Sequence, residues 1–212
     1  MIDHGESGRN EIALTFDAGA DRGFAEEILD TLDEYHVKAS FGITGHWADE
    51  NPDLVKRMFD DGQMIFNHTY SHRSWTGFST ADWDAGVLTS DERSQELSDT
   101  EQSIATAAEG YDPKPYFRPP YGDYDEGVLA DLENDGYYLT IMWTCDTLGW
   151  NGATVDEIID HCGSNASAGD IILMHVGAAS LDAEALPQLI ETLQAQGFDL
   201  VTVEQLLQPE DK

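Results

Sequence analysis

The chain predicts an α/β fold built on a mostly parallel sheet. Three observations lead there. Short apolar runs recur along its 212 residues, helix-length segments separate them, and four of the runs end abruptly in reactive side chains. Those four are Ile12-Ala13-Leu14-Thr15-Phe16 before Asp17, Met64-Ile65-Phe66 before Asn67-His68, Tyr116-Phe117 before Arg118, and Ile171-Ile172-Leu173-Met174 before His175. Each reads as a buried strand that delivers a polar residue at its carboxyl end, where α/β folds bind their ligands.

In chain order, strand 11–17 is the first of these runs, followed by helix 22–35 and strand 38–43. Helix 51–61 stops at Gly62 and leads into strand 63–67. Helix 91–109 opens on Thr89 with Glu92 at capping-box spacing, stops at Gly110, and precedes strand 115–118. Helix 125–135 stops at Gly136; strand 138–143 carries Ile141, Met142 and Trp143. Helix 154–163 opens on Thr154 with Glu157, and strand 170–175 follows. Helix 182–196 stops at Gly197, before strand 198–203 and helix 203–208. Seven such repeats imply right-handed crossovers, which can close the sheet into a barrel.

Composition bounds the rest. With no repeat, low-complexity tract or long linker, residues 1–212 read as a single domain. Asp and Glu total 42 against 10 Lys and Arg, four of them lysine, and the formal charge is −32. The acids are spread along the chain, so the surface itself is anionic and repels nucleic acid and anionic membranes. Life in concentrated salt, a halophile's setting, accounts for such self-repulsion; an ordinary acidic protein is the plainer alternative. No apolar stretch reaches eighteen residues, and Met1-Ile2-Asp3-His4-Gly5 does not read as a signal peptide. A cytoplasmic protein, or an extracellular one whose export segment has been removed, both remain open. Cys145 and Cys162 are too few for a disulfide framework; they could pair, but buried free thiols are the expectation.

The sharpest local signal is His68 and His72, two imidazoles four residues apart at a strand end; on a first helical turn, such a pair points both rings at one metal ion. Taken in order, TFDAGAD, NHTYSH, RPPYGDYD, CDTLGW and LMH make a series. With these motifs the chain resembles the NodB-type polysaccharide deacetylases, carbohydrate esterase family four, from about Glu11 to Leu207. The resemblance implies a distorted (β/α)7 barrel and a hydrolase that removes N-acetyl groups from the N-acetylated sugars of a chitin- or peptidoglycan-like glycan. It implies one divalent cation, zinc in the first place, with cobalt, nickel or manganese as alternatives. The long connection from Arg73 to Ser90, with Trp75, Phe78 and Trp83, would either wall the cleft for sugar rings or fold back onto the barrel.

Roles carry over residue by residue. His68 and His72 would hold the ion, and Asp17 would be the base, a helix cap being its structural alternative. Arg118 would tune Asp17, and Asp146 would orient Arg118. The backbone N–H of Tyr121 would meet the oxyanion, and Pro119 and Pro120 would fix its turn. His175 would protonate the leaving amine; Trp150 and Leu173 would line the acetyl pocket or serve as ordinary core. Two positions depart from the family pattern. Ala18 stands where a second, metal-binding aspartate is usual, and Gly149 where the fourth motif has a later acid. Asp21 would supply the missing ligand or cap the next helix; otherwise water fills the position, or the site holds no metal. Three other functions stay in view: an O-acetyl xylan esterase; a metal-free cyclic ureide hydrolase of the same fold, which the lost second aspartate suggests and the two retained histidines argue against; and a non-catalytic glycan-binding module.

The charge balance generates a first prediction. Molar salt shortens the Debye length to about 3 Å and so screens the self-repulsion of an anionic surface. The thermal midpoint should rise from low to molar KCl, and a flat or falling midpoint in a calorimetric salt series would contradict salt adaptation.

Overall fold

The computed structural model describes residues 1–5, 8–79 and 86–209. Among them eight strands run in parallel: β1 (Glu11–Ala18), β2 (Ser40–Ile43), β3 (Met64–Asn67), β4 (Tyr116–Phe117), β5 (Leu139–Thr140), β6 (Cys145–Asp146), β7 (Ile171–His175) and β8 (Asp199–Val201). Their order is β5-β4-β3-β2-β1-β7-β6, with β8 against the start of β1. The helices are α1 (Ala25–Glu34), α2 (Gly45–Glu50), α3 (Pro52–Asp60), α4 (Ser90–Ala107), α5 (Glu126–Asn134), α6 (Val155–Ile158), α7 (Asp182–Ala195) and α8 (Val203–Leu206).

The sheet curls into a distorted (β/α)7 barrel, and one segment shows how seven predicted strands become eight. The strand expected over 138–143 is not continuous. Its beginning, β5, pairs with β4, and its continuation, β6, pairs with β7. The short link Ile141–Thr144 therefore crosses from one end of the sheet to the other. Ile2 lies along it: the Ile2 N–H donates to Thr140 O at 2.8 Å, and the Met142 N–H donates to Ile2 O at 2.7 Å.

Alternation along β1 decides which side chains meet a ligand. Successive side chains of a strand point to opposite faces. Ile12, Leu14, Phe16 and Ala18 pack with Ile28, Leu29 and Leu32 of α1 and Leu186, Leu189, Ile190 and Leu193 of α7. Ala13 belongs instead to a second cluster with Phe66, Ile141, Ile171 and Val203, inside the barrel. Thr15 and Asp17 share the face of Ala13. The aspartate therefore reaches the barrel mouth from within.

Other differences have local causes. The short helix α2 escapes sequence reading because it starts at Gly45, a poor helix former, and forms because Thr44 Oγ1 accepts the Trp47 N–H at 3.1 Å. Both expected capping boxes are present, at Thr89/Glu92 and Thr154/Glu157. The helix expected over 154–163 is α6 followed by a π-turn, Ile159–Gly163. In the connection after Arg73, Trp75 is fully buried against Leu88, Leu97, Phe117 and Leu132, so this part folds back onto the barrel. Phe78 stays exposed, and Trp83 lies outside the described residues.

The expectation of free thiols is overturned. Cys145 on β6 and Cys162 in the π-turn form a disulfide. The turn packs over β6 and places Cys162 on Cys145, a proximity that spacing along the chain does not reveal. Closing a loop of 17 residues is worth about 3 kcal/mol on the chain-entropy scale. Replacing both cysteines by serine should lower the unfolding free energy by about that amount in urea titrations. Thiol titration of the unfolded, unreduced protein should find no reactive cysteine; two reactive thiols would refute the pairing.

Candidate active site

Arg118 follows β4 directly, and its side chain runs inward to a fully buried position. Four hydrogen bonds hold the guanidinium. Nη1 donates to Asp17 Oδ1 at 2.8 Å and Nη2 to Thr15 Oγ1 at 3.0 Å; Nε donates to Ile141 O at 3.2 Å and Nη2 to Met142 O at 3.3 Å. The Thr15 hydroxyl donates to Ile172 O at 2.8 Å, which leaves its lone pairs for the arginine. Phe66 and Trp143 lie 5.1 and 5.6 Å from the guanidinium carbon, close enough for cation–π attraction. Burial pushes the Asp17 carboxyl up, but the Arg118 charge and hydrogen bond, with the His68 and His175 imidazoles beside it, outweigh burial and hold the group below its usual 3.8. At neutral pH Asp17 is an anion.

The two histidines sit on a loop, not on the helical turn that the spacing suggests. Asn67 Oδ1 accepts the Thr69 N–H at 2.9 Å, Thr69 Oγ1 accepts the His72 N–H at 3.1 Å, and Glu96 of α4 takes the N–H groups of Tyr70 and Ser71. Thr69 and His72 both adopt left-handed backbone conformations, with φ of 67° and 60°. The rings nevertheless meet edge to face, with centroids 4.9 Å apart. His68 Nδ1 lies 2.8 Å from Arg118 O, and since a carbonyl only accepts, that nitrogen carries the proton. Burial lowers the pKa of His68 and keeps it neutral, so Nε2 presents a bare lone pair 3.5 Å from Asp17 Oδ2. For His72, burial and the neighbouring His68 push the pKa down to about 3, so it too stays neutral.

Two electron-rich atoms facing at that distance repel unless a proton or a cation lies between them. The donor set therefore fits a divalent ion in kind: neutral imidazole nitrogens beside an anionic carboxylate. In number it is sparse. Among the described residues no third His, Cys, Asp or Glu groups with His68 and His72 so that all donor atoms lie within 4.8 Å of one another. Ala18 is fully buried in the helix-side core. Asp21 neither lines the cleft nor caps a helix. Its Oδ1 accepts the Ala178 N–H at 3.0 Å, and α1 begins later, after Phe24, with no side-chain cap.

A cavity of about 530 Å³ opens over these groups, lined by Asp17, His68, His72, Tyr121, Trp150, Leu173 and His175 among others. His175 ends β7, and its ring lies 6.2 Å from that of Trp150. Leu173 is two residues earlier on the same strand face. Tyr121 follows Pro119 and Pro120 in a left-handed conformation (φ 61°), and its ring packs on His72 at 4.8 Å. One expected contact is absent: Asp146 does not orient Arg118. Its carboxylate accepts the Leu148 N–H at 2.9 Å and the Trp150 indole N–H at 3.1 Å, so it fixes the cleft wall instead. Sequence reading also misses Thr15, Trp143 and Asp182. The first two look like ordinary strand residues; the third looks like any acid in the first turn of a helix.

Comparison with known proteins agrees with the geometry. The profile of the polysaccharide deacetylase family matches residues 4–140. A peptidoglycan-N-acetylglucosamine deacetylase of Bacillus cereus is 33% identical over 207 residues, covering 96% of this chain and 70% of the relative. A chitooligosaccharide deacetylase of Sinorhizobium fredii is 30% identical over 204 residues, covering 91% and 89%. Among solved structures, a family-four carbohydrate esterase pseudoenzyme from Bacillus anthracis superposes with a TM-score of 0.84 at 29% identity, covering 98% of this chain and 68% of that one.

The buried ion pair carries a stability prediction. Arg118→Leu leaves Asp17 buried without its cation and should cost about 3–5 kcal/mol in urea unfolding at neutral pH. Asp17→Leu in that background should recover much of the loss. The folded pKa of Asp17 is depressed, so its contribution is complete above the unfolded value near 3.8 and is lost as pH falls through the folded one. A double variant as unstable as Arg118→Leu alone would refute the pairing.

Proposed function

The chain belongs to the polysaccharide deacetylase family, carbohydrate esterase family four, and on that premise we propose that it is a metal-dependent hydrolase removing N-acetyl groups from the sugars of a chitin- or peptidoglycan-like glycan. The family is generally metal-dependent. One observation carries the reading: the anionic Asp17 and the bare Nε2 of His68 face each other in a cavity that His175 also lines.

His68 and His72 would hold the ion, zinc in our reading. Bound there, it would polarise the acetamide carbonyl and bring the pKa of a water to about 7. Asp17, oriented by Arg118, takes a proton from the attacking water. The Tyr121 N–H, in the RPPYG turn beside the cleft, would meet the oxyanion as the carbonyl carbon becomes tetrahedral. Trp150 and Leu173 enclose the acetyl methyl in apolar surface and exclude bulk water. When the C–N bond breaks, His175 gives the leaving nitrogen its proton, and acetate and the free amine result.

The sparse ligand set and the likeness to a pseudoenzyme favour one second reading, a glycan-binding domain without turnover. Acetate release from N-acetylglucosamine oligomers decides between the two, with acetylated xylan as the ester control. With zinc restored, His68→Ala and His72→Ala should each lose most activity and bound metal while remaining folded. Asp17→Asn should lower kcat by about 10²–10⁴. Saccharide binding without acetate release from the metal-loaded wild type would sink the hydrolase reading.

A further inference from the structure

Among the described residues only two carboxylates are buried, Asp17 and Asp182, although the chain has 42 acids in all. Carboxylates are almost never fully buried unless they are paired. Asp17 has Arg118. Asp182, at the start of α7, has no lysine or arginine within ion-pair reach among the described residues; its neighbour is the His175 ring, with Nδ1 4.0 Å from Oδ2.

The surroundings aim the carboxylate at that ring. Oδ2 accepts the His175 backbone N–H at 2.7 Å and the Ser180 hydroxyl at 2.8 Å. Oδ1 makes no hydrogen bond of good geometry, although the Thr147 hydroxyl lies near the carboxylate, and His175 Nδ1, equally buried, has no acceptor. Buried polar atoms are rarely left so, and here the two are complementary: one can only accept, and the other can donate. Nδ1 lies 4.0 Å from the nearer carboxylate oxygen, Oδ2, so the ring has to turn toward the carboxylate before it can donate. With Nδ1 turned to Asp182, Nε2 is the edge left for the cleft.

Gly149 shows why the carboxylate can sit there. A Cβ at position 149 would come within 2.6 Å of both Asp182 Oδ1 and Ser180 Oγ. The space that a side chain at 149 would need is already filled by the Asp182 carboxylate. The missing acid of the fourth motif and the unexplained buried acid on α7 are thus two sides of one arrangement.

We propose that Asp182 is the positioning residue for His175, holding Nδ1–H and the positive charge of the ring so that Nε2 can donate its proton. The inference rests on the reading of His175 as the acid of a deacetylase. In the step concerned, the C–N bond of the tetrahedral intermediate breaks, its electrons go to nitrogen, and the Nε2 proton follows; Asp182 keeps Nδ1–H throughout. Burial pushes the Asp182 carboxyl up, while the Thr147 and Ser180 hydroxyls, the His175 N–H and the ring pull it back. The other titratable groups around the cleft are Asp17 on β1, His68 and His72 after β3, and Asp146 on β6.

The test is an NMR titration of the His175 ring in the full chain, beside kcat/KM for acetate release from N-acetylglucosamine oligomers across pH. Asp182→Asn keeps the shape and an acceptor for the His175 N–H but removes the charge. His175 should then titrate about one pH unit lower, since an anion favours the imidazolium form. The alkaline limb of kcat/KM should move down with it, while KM stays within about twofold. A merely structural Asp182 would move neither. Asp182→Ala with Gly149→Asp should bring the titration back toward wild type. Should Asp182→Asn not fold, Gly149→Ala displaces the carboxylate from the other side, with the same expected direction. An unmoved His175 titration in the folded variants overturns the inference. A shifted titration with no acetate released even by wild type supports the pairing and counts against the deacetylase reading instead.

Discussion

The buried guanidinium of Arg118 is the constraint on which the rest of the site depends. It enters from β4 and binds two side chains of β1 and two carbonyls of the link between β5 and β6. One planar cation thus ties the central strand to the segment that closes the barrel. Its own carbonyl fixes the tautomer of His68, which faces the carboxylate that its side chain holds. Carboxylate, imidazole and barrel closure are set by one residue. A lysine could not do this, because it lacks the flat fork that spreads donors over several partners at once.

Each group of the cleft is placed by a rule of its own strand. Asp17 faces inward because β1 alternates, and small Ala13 and Thr15 beneath it leave room for the arginine. Leu173 and His175 share a face for the same reason. The loop after β3 has no such periodicity, so side-chain hydrogen bonds from Asn67, Thr69 and Glu96 hold its backbone in place. The charge of the chain is sorted by the same architecture: apart from Asp17 and Asp182, the acids of the described residues are not buried.

Much of this was legible in the sequence. Apolar runs ending in Asp17, His68, Arg118 and His175 foretold four strands and their convergence at one mouth, because a parallel sheet brings its carboxyl ends together. What stayed illegible depended on partners. An extended segment does not announce that its two halves pair with different strands, so 138–143 read as one strand. Asp146 is aspartate in either role, and only the fold showed it holding Trp150 and not Arg118. Cys145 and Cys162 lie on separate elements, brought together by a turn that no local signal predicts. Asp182 was hidden among many acids, in a position where helices commonly carry one.

Among the described residues six other than glycine adopt left-handed backbone conformations, and four of them, Thr69, His72, Tyr121 and Leu148, lie on loops at the barrel mouth. Such a conformation costs an L-residue roughly 1–2 kcal/mol, and glycine would bear it more easily. Two of the four, His72 and Tyr121, nonetheless carry side chains that line the cleft. The loops are therefore tense parts of an otherwise relaxed barrel, and thermal robustness and the shape of the cleft pull against each other at these residues. A lineage selected only for heat tolerance would tend to lose the cleft first and keep the barrel, leaving a stable fold with no chemistry at its mouth.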